Sequence, residues 1–256
     1  MRVMTINVWS DYADNPVAPR ETGILNTIKA YSPDIIGMQE FSKNFYTSRL
    51  FEELKQEYVC VGIREKTSTP VFFKKSVFTL RECGWVWYDG TMFDDKSITW
   101  AVLDDNVSGR RIGICSTHLW YKIGEEHDKI RENNAKQLLD KMTYIKNNYD
   151  AVVFAVGDFN CTTDSMAMKY LEENGVYTSY KLTDNHSKFC TYHGYPVKGE
   201  DGKFYGKPTN EGYETSIDHI VTFKNDVIVK RQDIVVNEEI LGSTDHSPLY
   251  ADIEIP

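Results

Sequence analysis

No apolar run in the chain approaches the roughly 20 residues that a membrane-crossing helix requires, so no membrane span is expected. There is no Cys-x-x-Cys pair. Cys60, Cys83, Cys115, Cys161 and Cys190 are scattered and odd in number, which fits a reduced compartment better than a disulfide framework and disfavours thiolate zinc sites. Gly-x-Ser-x-Gly, Walker and Gly-x-Gly-x-x-Gly elements are all missing, which removes the usual warrants for a serine hydrolase, a nucleotide triphosphatase or a dinucleotide enzyme. Basic charge is in deficit. Against 38 Asp and Glu there are 29 Lys and Arg, giving −9. Proteins that grip duplex nucleic acid through phosphates usually present a basic surface, so tight nonspecific binding is disfavoured. A local basic groove remains compatible with this balance, yet the charge favours small or headgroup-like phosphoesters. A basic leader and a cleavage site are also lacking. A cytoplasmic location is therefore expected if Met1 is the native start, and a secreted one if a leader has been removed.

What is present is ordinary for a globular protein: 256 residues, 41% hydrophobic and 26% charged. One domain over residues 1–256, and a monomer, is the expectation. Runs rich in β-branched and aromatic residues predict strands over 2–7, 35–39, 58–62, 71–73, 78–86, 99–103, 111–117, 151–157, 216–222, 227–236 and 249–255. Cys115, inside one of these runs, reads as a small buried hydrophobe. A helix is predicted from Pro19 to Pro33, with Ile24, Leu25, Ile28 and Tyr31 as its stripe. A second is predicted over 43–55. The clearest, over 125–148, repeats Ala135, Leu138, Leu139, Met142 and Ile145 at three- and four-residue spacing. A short one should follow Asp164 as N-cap and stop before Gly175. About eleven strands and four helices predict a layered α/β or α+β domain. Residues 184–215 are polar, aromatic and rich in Gly and Lys, and a loop that long is usually functional.

Four of the predicted strands end in residues suited to a metal or a phosphate. Val3-Met4-Thr5-Ile6 delivers Asn7, and Ile35-Ile36-Gly37-Met38-Gln39 delivers Glu40. Ile112-Gly113-Ile114-Cys115-Ser116-Thr117 delivers His118, and Val152-Val153-Phe154-Ala155-Val156-Gly157 delivers Asp158, Phe159 and Asn160. Ligands of α/β sheets gather at the carboxyl ends of strands. Two Asp-His pairs follow, Asp218-His219 and Asp245-His246, and a carboxylate beside a histidine can fix its tautomer and stabilise its charge.

These stretches resemble the endonuclease/exonuclease/phosphatase superfamily. The matching elements, in the same order, are Thr5-Ile6-Asn7, Gln39-Glu40, Thr117-His118-Leu119, Gly157-Asp158-Phe159-Asn160, Ile217-Asp218 and Thr244-Asp245-His246-Ser247-Pro248. Thr191-Tyr192-His193-Gly194 is similar to a Thr-Phe-His-Gly element of compact bacterial members of unspecified substrate. The resemblance implies a deoxyribonuclease I-like, four-layered α-β-β-α sandwich of two packed mixed sheets, with Mg²⁺- or Mn²⁺-dependent cleavage of phosphoesters. His118 stands where exonuclease III-like enzymes usually carry Tyr, and looks like the histidine of deoxyribonuclease I, neutral sphingomyelinases and deadenylases. The Cys-Asp-Arg motif of the inositol polyphosphate 5-phosphatases is missing near Asp218.

Under this resemblance Glu40 is the leading metal ligand, with Asn7 and Asp245 beside it. Mg²⁺ takes oxygen ligands and often uses only one or two carboxylates. Asp158 would orient or deprotonate water, or ligate a metal, Asn160 would donate to a phosphoryl oxygen, and His246, oriented by Asp218, would activate water or stabilise the pentavalent phosphorus. His118 would hydrogen-bond a phosphate oxygen. Trp9, Trp120 and Tyr121 flank these motifs and could line a substrate pocket, although aromatics beside sheets are more often core. Arg64, Lys66 and His193 could reach substrate phosphate from loops. His219 should point away from Asp218 and serve the core or surface, and His127 and His186 read as surface residues. Taken singly, each residue also has a plain structural reading: a turn asparagine, a strand-end glutamate, an Asx turn. The expected substrate is a small-molecule, nucleotide or lipid-headgroup ester. A nuclease acting on DNA or RNA is the enzyme alternative, and a non-catalytic phosphate-binding scaffold the remote one.

Overall fold

The structure is a computed structural model that describes residues 1–11, 15–62, 66–91 and 96–256. Its N-terminal half runs β1 (Arg2–Asn7), α1 (Glu21–Tyr31), β2 (Ile35–Gln39), α2 (Arg49–Glu57), β3 (Tyr58–Val61), β4 (Val71–Lys74), β5 (Phe78–Trp87) and β6 (Ser97–Asp105). There follow β7 (Arg111–His118), α3 (Glu125–Tyr149), β8 (Val152–Asp158), α4 (Met166–Glu173), β9 (Val176–Thr178), β10 (Val197–Lys198) and β11 (Phe204–Tyr205). The chain closes with β12 (Asp218–Phe223), β13 (Ile228–Ile234), α5 (Glu238–Leu241) and β14 (Leu249–Glu254).

Two six-stranded mixed sheets form, in the orders β13-β14-β1-β2-β4-β3 and β5-β6-β7-β8-β12-β9. Each contains one parallel pair. β1 runs parallel to β2 and is joined to it through α1, while β7 runs parallel to β8 and is joined through α3. Parallel neighbours need such a crossover, and it brings the carboxyl ends of both strands to the same edge. That edge of one sheet therefore carries Asn7 and Glu40, and that of the other carries His118 and Asp158.

The alternation of the strands explains the layers. Val3, Ile35, Val71 and Phe73 of one sheet meet Ala101, Leu103, Ile114, Phe154, Val156 and Ile220 of the other in a dry central layer. Met4, Ile6, Ile36 and Met38 point the other way and pack under Ile24, Leu25 and Ile28 of α1 and Leu50 and Leu54 of α2. On the far side, Cys115, Val153 and Ala155 pack under Leu138, Met142 and Ile145 of α3 and Ala167, Met168 and Leu171 of α4. The result is the α-β-β-α sandwich. A polar strap crosses the dry layer near its functional edge: Gln39 accepts from Thr5 Oγ1 (3.0 Å) and donates to Ser116 Oγ (3.2 Å), which donates to Met38 O.

Several boundaries differ from those read in the sequence. α1 begins at Glu21, after Pro19, and closes on Ser32 in the left-handed conformation (φ 45°). α2 begins at Arg49 because the Ser48 hydroxyl accepts from Phe51 N and caps it, and residues 45–47 form only a 3-10 turn. Ser165, and not Asp164, caps α4, since Asp164 is engaged by the Thr162 hydroxyl. β9 and α5, three and four residues long, are too short to show a period. Residues 184–215, expected as a loop, contain the small hairpin β10–β11 and a 3-10 turn at Tyr213–Thr215.

Candidate active site

The carboxyl ends of β1, β2, β7 and β8 converge with the start of β12 and the turn before β14. The close approach of β7 and β8 depends on Gly157, where a Cβ would lie 2.0 Å from Thr117 O. Asp158 is the hub. Its Oδ2 accepts from Asn7 Nδ2 at 3.1 Å, lies 3.3 Å from His118 Nε2 and 3.9 Å from His246 Nε2. Its Oδ1 accepts from Asn160 N at 2.8 Å, while Asn160 Nδ2 donates to Leu119 O. Glu40 sits alongside: Oε1 accepts from Asn7 Nδ2 at 3.1 Å and Oε2 from Ser10 N at 2.9 Å. His246 Nδ1 donates to Asp218 Oδ2 at 2.7 Å. The turn that carries Asp245 and His246 is tied to β1 by Thr244 Oγ1, which donates to Asn7 O at 2.7 Å. Asp218 N donates to Thr191 Oγ1, and His193 N to Asp245 O, so residues 191–193 brace the same turn.

Five described residues other than glycine have a left-handed backbone: Trp9 (φ 54°), Ser32, Glu40 (φ 58°), Asp150 and Asn160 (φ 52°). Ser32 and Asp150 close helices, where this conformation is usual. The other three all lie in the cluster, and such strain concentrates where surrounding structure fixes side chains for a task.

The electrostatics separate the carboxylates. Burial alone would raise Asp158, but the imidazoles of His118 and His246 and the Lys96 ammonium outweigh it and hold the group well below its ordinary value. Burial of Glu40 is likewise outweighed, by His118, the Ser10 amide and Asn7, so it too is lowered. Asp245 is pushed up to about 6 by burial, reinforced by Glu40 and Asp158. Burial also raises Asp218. For His246, burial is overcome by Asp218, Asp245 and Asp158, so the imidazole stays protonated well above its ordinary range.

Asn7, Glu40, His118, Asp158, Asn160, Asp218, Asp245 and His246 are thus brought together. Trp9 borders the cluster through its backbone N–H, which donates to Asn7 Oδ1 at 3.0 Å, and its ring lies 5.6 Å from that of Tyr195 and 6.4 Å from that of Phe204. Tyr121 is exposed, with Lys96 Nζ 5.3 Å from its ring centre. The Trp120 indole is buried and donates to His127 Nδ1 at 3.0 Å, which also makes His127 a half-buried structural partner and not a free surface group. His193 buries both ring nitrogens with no hydrogen-bond partner among the described residues, and burial, then His246, lowers it to about 4. Lys66 is exposed, its ammonium 5.8 Å from the Trp87 ring. Arg64 lies outside the described residues. His219 is fully buried on the opposite face of β12, as alternation requires.

Two groups escaped sequence reasoning. Lys96, buried just before β6, places Nζ 2.8 Å from His118 Nε2. β6 is antiparallel to β7, so its beginning lies beside the end of β7. Attention to strand starts as well as strand ends would have found it. Tyr195 carries no local signal beyond lying two residues after His193.

The donor set suits a hard divalent cation. The ligand atoms of Glu40, His118 and Asp158 lie within 4.8 Å of one another, as do those of Asp158, Asp218 and His246. Asp218 Oδ1 and Asp245 Oδ1 are buried with no hydrogen-bond partner among the described residues, a cost that a cation would offset.

A family model described as Endonuclease/Exonuclease/phosphatase family matches residues 4–246. The chain belongs to this family, whose members are phosphoester hydrolases that commonly use divalent metals. It is similar to an endonuclease/exonuclease/phosphatase from Bacteroides vulgatus, with 23% identity over 100% of this chain and 98% of that one and a TM-score of 0.77. It is also similar to a mannosyl-6-phosphatase of Bacteroides thetaiotaomicron, with 18% identity over 100% of both chains and a TM-score of 0.76. The human Nocturnin catalytic domain, solved with a bound sulfate, aligns at 19% identity over 100% of this chain and 94% of that one, with a TM-score of 0.76. These likenesses establish the deoxyribonuclease I-like fold. No curated protein matches the sequence.

Proposed function

We propose that the protein hydrolyses the phosphoester bond of a small-molecule, nucleotide or lipid-headgroup ester by in-line attack of water. The observation that carries this reading is the position of Asp158 Oδ2, reached at once by Asn7, His118 and His246 from three separate segments.

Asp158, ionised, would hold the attacking water and take its proton as the new P–O bond forms. Its low proton affinity suits an orienting acceptor more than a strong base. His246, kept protonated by Asp218, would donate from Nε2 to a phosphoryl oxygen as charge builds there. His118 and the Lys96 ammonium beside it would hold a second oxygen, and the Asn160 amide a third. Glu40, with Asp245 and Asn7 alongside, would hold Mg²⁺ or Mn²⁺. When bound, the cation would polarise the phosphoryl group and stabilise the leaving oxygen. Trp9, Tyr195 and Tyr121 border the cluster and would contact the organic part of the substrate, with His193 behind them supporting Asp245.

The choice of a small ester rests on the −9 charge. The mannosyl-6-phosphatase of similar fold supports it. The test is release of nitrophenol from mono- and bis-nitrophenyl phosphate with and without Mg²⁺ or Mn²⁺, followed by a phosphoester screen. Metal-dependent turnover is expected, changing little with salt, whereas cleavage of a polynucleotide would weaken steeply as salt rises. A folded protein that binds phosphate but turns over neither ester would point to a scaffold instead.

A further inference from the structure

Arg20 is the largest fully buried side chain among the described residues. It occupies the N-cap of α1, where a cation opposes the helix dipole, and its side chain caps nothing. Local helix physics therefore gives no reason for it. Its guanidinium is spent on backbone carbonyls. Nη1 donates to Val8 O at 2.7 Å and to Ser243 O at 3.0 Å, Nε to Pro16 O at 3.1 Å, and Nη2 to Asn15 O at 3.4 Å. The rings of Trp9 and Phe45 lie 5.1 and 5.4 Å from its central carbon. Among the described residues no carboxylate pairs with it, although Asp245, Asp11 and Glu40 lie in its field. Burying a cation without an ion pair is costly, and five fixed donors are what a guanidinium offers in return.

The two carbonyls on Nη1 belong to the segments that carry the candidate site. Val8 follows Asn7 and precedes Trp9 and Ser10, whose amide holds Glu40. Ser243 precedes Thr244, Asp245 and His246. Gly23, one turn into α1, lets this second segment seat, because a Cβ there would lie 2.2 Å from Ser243 Oγ and 2.5 Å from Glu239 O. We infer that Arg20 is a positioning residue, a clamp that holds the segments at Val8 and Ser243 in register and so sets Asn7 and Glu40 against Asp245 and His246.

This rests on the hydrolase reading for its catalytic consequence, but not for its structural one. The test compares Arg20→Lys, which keeps the charge and loses the fork, and Arg20→Met, which loses both. The control is Leu54→Ala, a core truncation of comparable destabilisation in the layer under α1. Hydrogen exchange of the folded proteins should rise about 10-fold or more at residues 8–10 and 243–246 together in both Arg20 variants, and in neither segment of the control. Turnover should fall about 10- to 100-fold at similar KM, as expected when reacting groups drift by an ångström. Mn²⁺ binding, read by electron paramagnetic resonance, should weaken in both.

Arg20 acting only as a charge would give the opposite sign, because removing a cation near Glu40 and Asp245 in Arg20→Met would tighten Mn²⁺. That result, unchanged exchange in either segment, or equal opening in Leu54→Ala would each overturn the clamp. If Arg20→Met does not fold, Arg20→Lys carries the decision through its exchange pattern. A wild-type protein without metal-dependent turnover would sink the hydrolase reading and leave the exchange result standing.

Discussion

The two faces of β12 place two buried imidazoles under opposite rules. Asp218 faces the cluster and binds His246, which is held protonated. One residue on, His219 faces Phe159 and Tyr213, and burial lowers it to about 4. Its Nε2 donates to Cys161 O at 2.9 Å, so Nδ1 is left to accept from Tyr213 OH at 2.8 Å. Both rings are buried, so burial does not decide their charge. A carboxylate partner favours imidazolium, while a hydroxyl and a carbonyl together satisfy one neutral tautomer. A single-residue step along a strand thus separates the partner of a charged imidazole from a neutral one.

The comparison can be broken at its strongest point by Asp158→Asn, which keeps the shape and removes the charge that the reactive face is built around. Steady-state kinetics should show turnover lower by about 10³-fold or more, with the fold intact by circular dichroism. A variant at full rate would contradict the assigned chemistry. Glu40→Gln should abolish the response to added Mg²⁺ or Mn²⁺ without lowering the melting temperature. Asp218→Asn converts the reactive imidazole toward the inert kind. Turnover should fall about 100-fold, and NMR titration should find His246 moved down toward the ordinary histidine range.

The inert face gives a smaller effect, read in stability. The unfolded chain protonates His219 near 6.5, whereas the folded chain resists until about 4. The folded state therefore loses stability as pH falls through that window, by at most about 3 kcal/mol. Urea denaturation of wild type and His219→Gln between pH 7 and 4 should converge by that margin as the pH is lowered. Smallest of all, Tyr195→Ala at the exposed rim should raise KM about two- to tenfold and leave kcat nearly unchanged.

The sequence made the reactive face legible for a physical reason. Apolar strands that stop at Asn7, Glu40, His118 and Asp158 announce both the sheet and the polar edge where it ends. Lys96 stayed hidden because it begins an antiparallel strand, and Arg20 because its partners are backbone carbonyls, which leave no mark in side-chain patterns. The helix starts at Ser48 and Ser165 were misplaced because several polar residues compete for each cap, and only tertiary packing chooses among them. His219 was read as core or surface, and alternation along the strand sufficed for that.

The pairing of β1 with β14 has a consequence for how the molecule comes into being. β1 is flanked by β2 on one side and by the last strand on the other, and the bond from Thr244 to Asn7 spans 237 residues. During synthesis β1 must wait, one edge open, until β14 has emerged. Asp245 and His246 arrive with that closing segment, so the reactive cluster is assembled by the same event that seals the sheet. On the hydrolase reading proposed above, a chain still short of Asp245 and His246 would be inert toward phosphoesters, and activity would report that this sheet has closed.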